Sequence, residues 1–191
     1  MRPATEHGRS RWQTRPIGEV CNILAGFGFP ERLQGRTTGD LPFYKVGDIS
    51  EAWKRGDIHL NRANNYISQA DATSIRAKPL PKGATVFAKI GAAIALNRRA
   101  MLGTPALIDN NVMGLFPSTD ALDTKFLFHF VCSVRFGELS RATTVPSVRK
   151  SDIAQIPLPL PPLDEQCRIV AEMEKQFARL DAGVAALRRV R

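Results

Sequence analysis

A run of alternating prolines constrains this chain more than any other feature. From Ile156 to Pro162 the sequence is IPLPLPP. Because proline fixes φ and lacks a backbone N–H donor, such a run is excluded from a helix and from the interior of a sheet. It predicts a stiff, extended linker and the one clear domain boundary in the sequence. We therefore expect one domain over residues 1–160 and a separate segment over residues 161–191.

The segment after the prolines carries a heptad pattern. Its apolar residues recur at intervals of 3, 4, 3, 4 and 3, which is typical of one seam of a coiled-coil helix. Asp164 and Glu165 would lie in the first turn, and Arg188, Arg189 and Arg191 at the other end, as the helix dipole favours. Such a seam packs either on its own domain or, as the proline run and the spacing favour, on another helix. The predicted helix-pairing residues are Val170, Met173, Phe177, Leu180, Val184 and Leu187.

The residues before the prolines combine short strand-like runs with one clear helix. Asp123 is a suitable N-cap for a helix from Thr124 to about Phe136. Residues 50–80 are polar, basic and rich in turn formers. The predicted fold class is α+β, a mixed and strand-rich domain followed by a long helix of the coiled-coil type. Strands are expected within Leu41–Ile49, where Gly47-Asp48 is a break, and within Val86–Ile90, Pro105–Ile108 and Val112–Phe116.

Positive charge is concentrated in one part of the chain. The formal net charge is +9, and residues 51–100, with nine Lys or Arg and three Asp or Glu (9 − 3), hold +6 of it. A localised basic excess is typical of a protein that binds a polyanion, although a basic surface without a specific partner would give the same count. Aromatic residues make up only 7% of the chain, which argues against a single-strand binder that stacks bases.

No catalytic constellation can be assembled from the sequence. It has no Walker A loop, no nucleophile elbow, no zinc-deaminase motif, and none of the Asn-Pro-Pro-aromatic motif of amino-methyltransferases. The three histidines are scattered, and His129, inside the apolar helix, is expected to be packed. Asp120 with Asp123-Thr124-Lys125 imitates a nuclease motif, but the spacing is too short for two strands. We therefore expect a non-catalytic protein with no metal and no cofactor.

Cysteines and hydropathy give the expected compartment. Cys21, Cys132 and Cys167 lie far apart without a zinc-ligand spacing, so we expect them to be reduced. No run approaches the roughly 20 apolar residues that span a bilayer, and residues 1–12 lack the apolar region of a secretory signal. These features predict a cytoplasmic protein.

Several segments together resemble the specificity subunits of type I restriction–modification systems. The junction itself carries the resemblance in TVPSVRKSDI at 144–153, in IPLPLPPLDEQ at 156–166 and in Ile169-Val170, and its PPLDEQ motif is fairly specific. Upstream, the segments FYKVGDI at 43–49, LPKG at 80–83 with FAKIG at 87–91, and NNV at 110–112 follow in the order that the family shows. The resemblance extends from about Trp12 to the end of the chain.

The resemblance implies a protein that recognises a specific sequence in double-stranded DNA. Such a subunit carries two recognition domains, each for one half of a bipartite site, separated by two helices that pair antiparallel. Methyltransferase subunits and motor-nuclease subunits assemble around it. This chain has one recognition domain and one helix, so we expect either a half-subunit that pairs with a second half or a piece of a longer chain. Two alternatives stay open: a basic scaffold that binds an acidic protein, and the recognition domain of a fused restriction–methylation enzyme.

The candidate DNA contacts lie mainly in the basic block and next to the prolines. Lys and Arg supply affinity by contacting phosphates, whereas contacts to base edges supply specificity. Arg pairs with guanine and Asn with adenine in the major groove. The predicted DNA-binding residues are Lys54, Arg55, Arg62, Asn64, Asn65, Lys89, Asn97, Arg98, Arg99, Arg149 and Lys150.

Overall fold

The computed structural model describes residues 12–139 and 145–189. Thr144, in the segment that resembles the family junction, and Arg191, at the basic end of the heptad segment, lie outside the described residues. The strands are β1 (Gln13–Pro16), β2 (Cys21–Ala25), β3 (Leu41–Tyr44), β4 (His59–Leu60), β5 (Tyr66–Ile67), β6 (Thr85–Ala88), β7 (Arg99–Leu102), β8 (Leu107–Ile108), β9 (Val112–Pro117) and β10 (Pro157–Leu160). The helices are α1 (Ile17–Val20), α2 (Val46–Arg55), α3 (Gln69–Ser74), α4 (Thr124–Ser133), α5 (Lys150–Ala154) and α6 (Leu163–Arg189).

A five-stranded sheet in the order β2-β9-β6-β7-β4 forms the centre of the domain. Its pairs are antiparallel, except that β4 runs parallel to β7 at the edge. All four residues of β6 are buried, as expected for a short apolar run covered on both faces. A smaller sheet, in the order β5-β3-β8, lies beside it. This mixed sheet domain followed by a long helix confirms the predicted α+β class, and β6, β8 and β9 confirm three of the predicted strands.

Helix α2 replaces the second half of a predicted strand. The strand expected over Leu41–Ile49 ends at Tyr44, and Asp48 is part of the first turn of α2 rather than a break. One carboxylate oxygen of Asp48 accepts a hydrogen bond from the Lys45 backbone N–H at 2.7 Å, and the other accepts one from the Asn64 backbone N–H at 3.0 Å. The helix ends at Arg55 and is followed by its C-cap Gly56, whose φ of 79° suits glycine. Asp48 thus both caps α2 and connects it to the loop between β4 and β5, which contains Asn64.

The proline run is extended, as predicted, but it is a strand of the domain rather than a free linker. Strand β10 pairs antiparallel with β1, from Gln13 opposite Leu160 to Pro16 opposite Pro157. A two-stranded ribbon consists only of edges, so prolines that lack a donor are tolerated there. Leu158 is fully buried in the core beneath this ribbon.

The two long helices confirm their predictions and pack together. Helix α4 begins at its N-cap Asp123, whose carboxylate accepts from the Phe126 backbone N–H at 2.8 Å. It ends at Ser133, and Phe136 belongs to a short 3-10 turn instead of the predicted helix end. Helix α6 runs for 27 residues, about 40 Å, and its first turns pack on α4. In the part of the chain that the structure describes, no helix combines the length and the apolar character needed to cross a membrane.

Candidate nucleic-acid interface

A basic surface forms where the C-terminal end of α2 meets the edge strand β4. We call this surface, composed of Trp53, Lys54, Arg55, Arg62 and Arg98, the α2 edge. Helix α2 packs against β4, β6 and β7, which brings the start of β7 close to its exposed side. Arg55 and Arg62 also line one open cavity of about 630 Å³, together with His59 and Asn61.

Most of the positive charge on the α2 edge is uncompensated. Arg55 is paired with Asp57, with 2.7 Å between Nε and the carboxylate oxygen. Among the described residues, no carboxylate lies within ion-pair distance of Lys54, Arg62 or Arg98. Unpaired cations at a surface favour contact with a polyanion such as a phosphate backbone.

Arg98 lies over the indole ring of Trp53. Its guanidinium carbon is 4.9 Å from the ring centroid, a cation–π distance. Trp53 is 54% exposed, so the stacked pair is part of the surface of the domain. The structure thereby joins residues that are 45 positions apart in the sequence.

Arg99, in contrast, is buried. Its side chain is only 4% exposed and lies between the rings of Phe87 and Phe136, at 5.2 and 4.2 Å from their centroids. It donates hydrogen bonds to Asn97 Oδ1 at 2.6 Å and to the carbonyl oxygen of Arg98 at 3.0 Å. Burial lowers the pKa of the Arg99 guanidinium to about 10, so it stays charged at neutral pH. Because burial keeps Arg99 from a ligand, we remove it from the predicted DNA contacts.

The predicted asparagines also have structural partners. Asn65 is 8% exposed, and its side-chain oxygen accepts from the Gly35 backbone N–H at 2.9 Å. Asn97 is half-buried, and its amide donates to the Cys132 carbonyl at 3.2 Å. Both side chains hold loops in place, so we remove them too from the predicted DNA contacts. Asn64 is exposed next to the α2 edge, where its amide donates to Glu51 at 3.3 Å.

A second basic group combines three of the remaining predicted residues. Lys89 follows β6, whereas Arg149 and Lys150 begin α5, and backbone hydrogen bonds bring the two segments together. The Val148 N–H donates to the Lys89 carbonyl at 2.9 Å, and the Gly91 N–H donates to the Pro146 carbonyl at 2.8 Å. Arg149 and Lys150 are exposed and Lys89 is half-buried. We call this set the Lys89 group.

Sequence reasoning missed four residues of the α2 edge and its cavity. Trp53 and Ile58 are both exposed apolar residues in a basic region, and His59 and Asn61 line the cavity with Arg55 and Arg62. Helical spacing would not have identified Trp53, because it lies four residues after the buried Ile49 and so beside the buried face of a helix over 46–55.

The predicted helix-pairing residues divide into two sets along α6. Val170 is buried and Met173 is half-buried against the domain. The later four, Phe177, Leu180, Val184 and Leu187, are exposed, Leu180 by 64% and Leu187 by 73%. The ring of Phe177 also touches His129 of α4, with 5.9 Å between centroids. The seam is therefore covered by the domain in its first turns and uncovered in its last ones.

Within residues 12–139 and 145–189, no group of three or more His, Cys, Asp or Glu side chains is placed to hold a metal ion.

Comparisons with known proteins identify relatives over nearly the whole chain. The family model for the type I restriction modification DNA specificity domain matches residues 9–183. A putative type I restriction enzyme specificity subunit of Haemophilus influenzae is 22% identical over 161 residues, which are 84% of this chain and 36% of that protein. The specificity subunit of the type I restriction enzyme EcoDI from Escherichia coli is 34% identical over 71 residues, 35% of this chain and 16% of that protein.

A solved structure shares the fold. The crystal structure of the HsdS subunit from Thermoanaerobacter tengcongensis superimposes with a TM-score of 0.67 at 24% identity, over 96% of this chain and 40% of that one. The chain thus spans well under half the length of the relatives it matches.

Proposed function

Since this chain belongs to the type I restriction modification DNA specificity family, we propose that it recognises one half of a bipartite site in double-stranded DNA. The observation that carries the proposal is the α2 edge, where Lys54, Arg62 and Arg98 form a positive surface without carboxylate partners among the described residues. A surface that contacts a phosphate backbone needs unpaired cations, because affinity arises from the release of counterions. An α2 edge neutralised by neighbouring acids would not support this proposal.

The proposed DNA contacts are the members of the predicted set that are exposed, together with the half-buried Lys89 and Arg98. Lys54, Arg55, Arg62, Asn64 and Arg98 would contact DNA from the α2 edge and its flank, and Lys89, Arg149 and Lys150 would do so from the second group. Loops and element ends on a rigid sheet are the usual location for such residues. We propose the same division of the chain as before, with residues 1–160 for recognition and residues 161–191 for pairing.

The proposed partners follow from family membership. Methyltransferase subunits and motor-nuclease subunits would supply the chemistry, and this chain would be non-catalytic and act in the cytoplasm, where its DNA is. The exposed part of the α6 seam would pair with the helix of a second recognition half. A narrow apolar seam that is exposed on a long helix is typical of helices that pair in a coiled coil.

Binding to a pool of randomised duplexes tests the proposal directly. We expect affinity to fall steeply between about 50 and about 200 mM salt, and the double variant Lys54→Ala/Arg62→Ala to bind more weakly with a salt slope reduced by roughly 1 per lost phosphate contact. The matched control is Lys175→Ala/Arg179→Ala, which removes two exposed cations from α6. Equal losses in both double variants would show that net charge, rather than the α2 edge, controls binding.

The rival functions make different predictions in the same assay. A scaffold for an acidic protein would bind duplex DNA weakly even at low salt. For a DNA recognition half, methylome sequencing of a host that carries this chain and its methyltransferase should give one defined motif. A palindromic motif would indicate two copies of this chain, and an asymmetric one a different second half.

A further inference from the structure

The neighbouring residues Arg98 and Arg99 lie in opposite environments. Arg99 is enclosed by Phe87 and Phe136, whereas the Arg98 guanidinium lies at the surface over Trp53. This pair of arginines in a basic block therefore consists of one buried structural residue and one half-buried residue whose guanidinium lies over an exposed ring. Only Arg98 of this pair can contact DNA.

The backbone of Arg98 is held on both sides. On one side, Asn97 adopts a left-handed φ of 50°, and its amide is bonded to the carbonyl of Cys132. On the other side, the buried Arg99 guanidinium donates to the carbonyl of Arg98 itself at 3.0 Å. Buried Arg99 thus restricts the position from which the Arg98 side chain leaves the domain.

The side chain of Arg98 is positioned by its cation–π contact with Trp53, and among the described residues its donors have no partner. Within the described part of the chain, its guanidinium has neither a hydrogen-bond acceptor nor an ion-pair partner. Arg55 differs, because Asp57 already occupies its Nε. Arg62 differs as well, since it is exposed and no aromatic ring of the described residues lies beneath it.

A guanidinium held over an indole with its donors free suits a ligand that offers two acceptors. The cation–π contact with Trp53 restricts where the Arg98 guanidinium lies and leaves its N–H donors available. Those donors match O6 and N7 of guanine in the major groove as a bidentate pair, which a lysine ammonium cannot reproduce. A phosphate can accept such a bidentate pair as well, but it carries no base identity, so discrimination among base pairs separates the two ligands.

We infer that Arg98 recognises a guanine edge in duplex DNA, and that Trp53 is a positioning residue that holds its guanidinium for this contact. The inference deepens the proposed function and rests on it. It assigns sequence discrimination to Arg98 and Trp53, and general affinity to the other cations of the α2 edge.

The test begins with selection from a randomised duplex pool by the chain, followed by binding to the selected duplex and to its single-base variants. Arg98→Lys should abolish preference for guanine at one position, a loss of roughly 5- to 140-fold in discrimination, while affinity for unrelated duplexes stays unchanged because the charge is kept. Trp53→Ala should reduce the same preference by roughly 2- to 5-fold. Trp53→Phe should retain it, and Trp53→Ala should add nothing to Arg98→Lys.

Matched controls separate the loss of guanine preference from the general effect of changing an arginine or removing a tryptophan. Arg179→Lys repeats the arginine change on α6, and Trp12→Ala removes another exposed tryptophan; both should keep the selected preference. Melting temperatures should stay close to wild type for the Trp53 and Arg98 variants, since Trp53 is exposed and the half-buried Arg98 has no side-chain hydrogen bond or ion pair among the described residues.

Each other outcome has a distinct meaning. If Arg98→Lys retains the preference for guanine, or if it weakens binding to all duplexes equally, the assignment of Arg98 is overturned. An unchanged preference in Trp53→Ala would overturn the positioning role. Failure of the wild-type chain to bind any duplex would instead refute the proposed function, and the inference with it.

Discussion

Gln166 is the side chain whose loss should most weaken the junction between α6 and the recognition domain. It is fully buried in the first turn of α6. Its amide nitrogen donates to the carbonyl oxygens of Ala121 and Pro161, each at 2.8 Å, and its oxygen accepts from the Asp123 backbone N–H at 2.8 Å. One side chain therefore connects the loop before α4, the end of the proline strand and α6.

Gln166→Leu removes all three hydrogen bonds while it keeps a similar side-chain volume. Each bond contributes about 1 kcal/mol net, and each buried group left unpaired costs about 1–3 kcal/mol. We expect the free energy of unfolding to fall by about 3 kcal/mol, because the Pro161 bond is buried and the other two are partly buried. For a chain of this size that corresponds to a melting temperature lower by roughly 6–12 °C.

Urea unfolding followed by circular dichroism measures this change. Gln176→Leu is the matched control, because it makes the same substitution at an exposed site on the same helix. It should change the free energy of unfolding by less than about 0.5 kcal/mol. A loss below about 1 kcal/mol for Gln166→Leu, or equal losses for both variants, would refute the role given to Gln166.

Three further predictions concern other parts of the molecule. Burial lowers the pKa of His129 below its ordinary value of 6.5, so the folded state binds its proton less readily than the unfolded state. The contribution of neutral His129 to the free energy of unfolding is complete above pH 6.5 and is lost as pH falls through the lowered pKa. Urea titrations over this pH range should show a steeper loss of stability for the wild-type chain than for His129→Gln. Arg99→Met leaves three acceptors without their donor, so it should lower the free energy of unfolding by about 2 kcal/mol; an unaltered urea midpoint would contradict this. Leu180→Asp places a charge on the exposed seam and should abolish pairing through α6, which sedimentation velocity would detect; an unaltered assembly state would exclude Leu180 from the contact.

Features with a local cause were predictable from the sequence. The heptad spacing predicted α6, and Asp123 with the apolar run after it predicted α4, because caps and helical periodicity act over a few residues. The strand-like run Val86–Ile90 predicted β6, which spans Thr85–Ala88, in the same way. Local signals therefore identified α4, α6, β6 and the fold class, but not α2.

Features with a distant cause were not predictable. The proline strand pairs with residues 13–16, which nothing in its own composition indicates. The start of α2 depends on Asp48, whose second hydrogen bond comes from Asn64. Arg99 was expected at the surface because arginine usually is, and only the distant rings of Phe87 and Phe136 account for its burial. The same nonlocal packing decides which basic residues remain at the surface.

Contacts along the first turns of α6 fix the direction in which the helix leaves the domain. Trp12 donates to Glu165 at 3.0 Å, Lys125 pairs with Glu174 at 2.8 Å, and Gln166 is bonded on both sides of the junction. A helix held at several positions along two to three turns cannot pivot about one of them. The uncovered seam begins with Phe177, just after these contacts. Folding of the single chain therefore sets where a partner helix would lie relative to the α2 edge, before any partner binds.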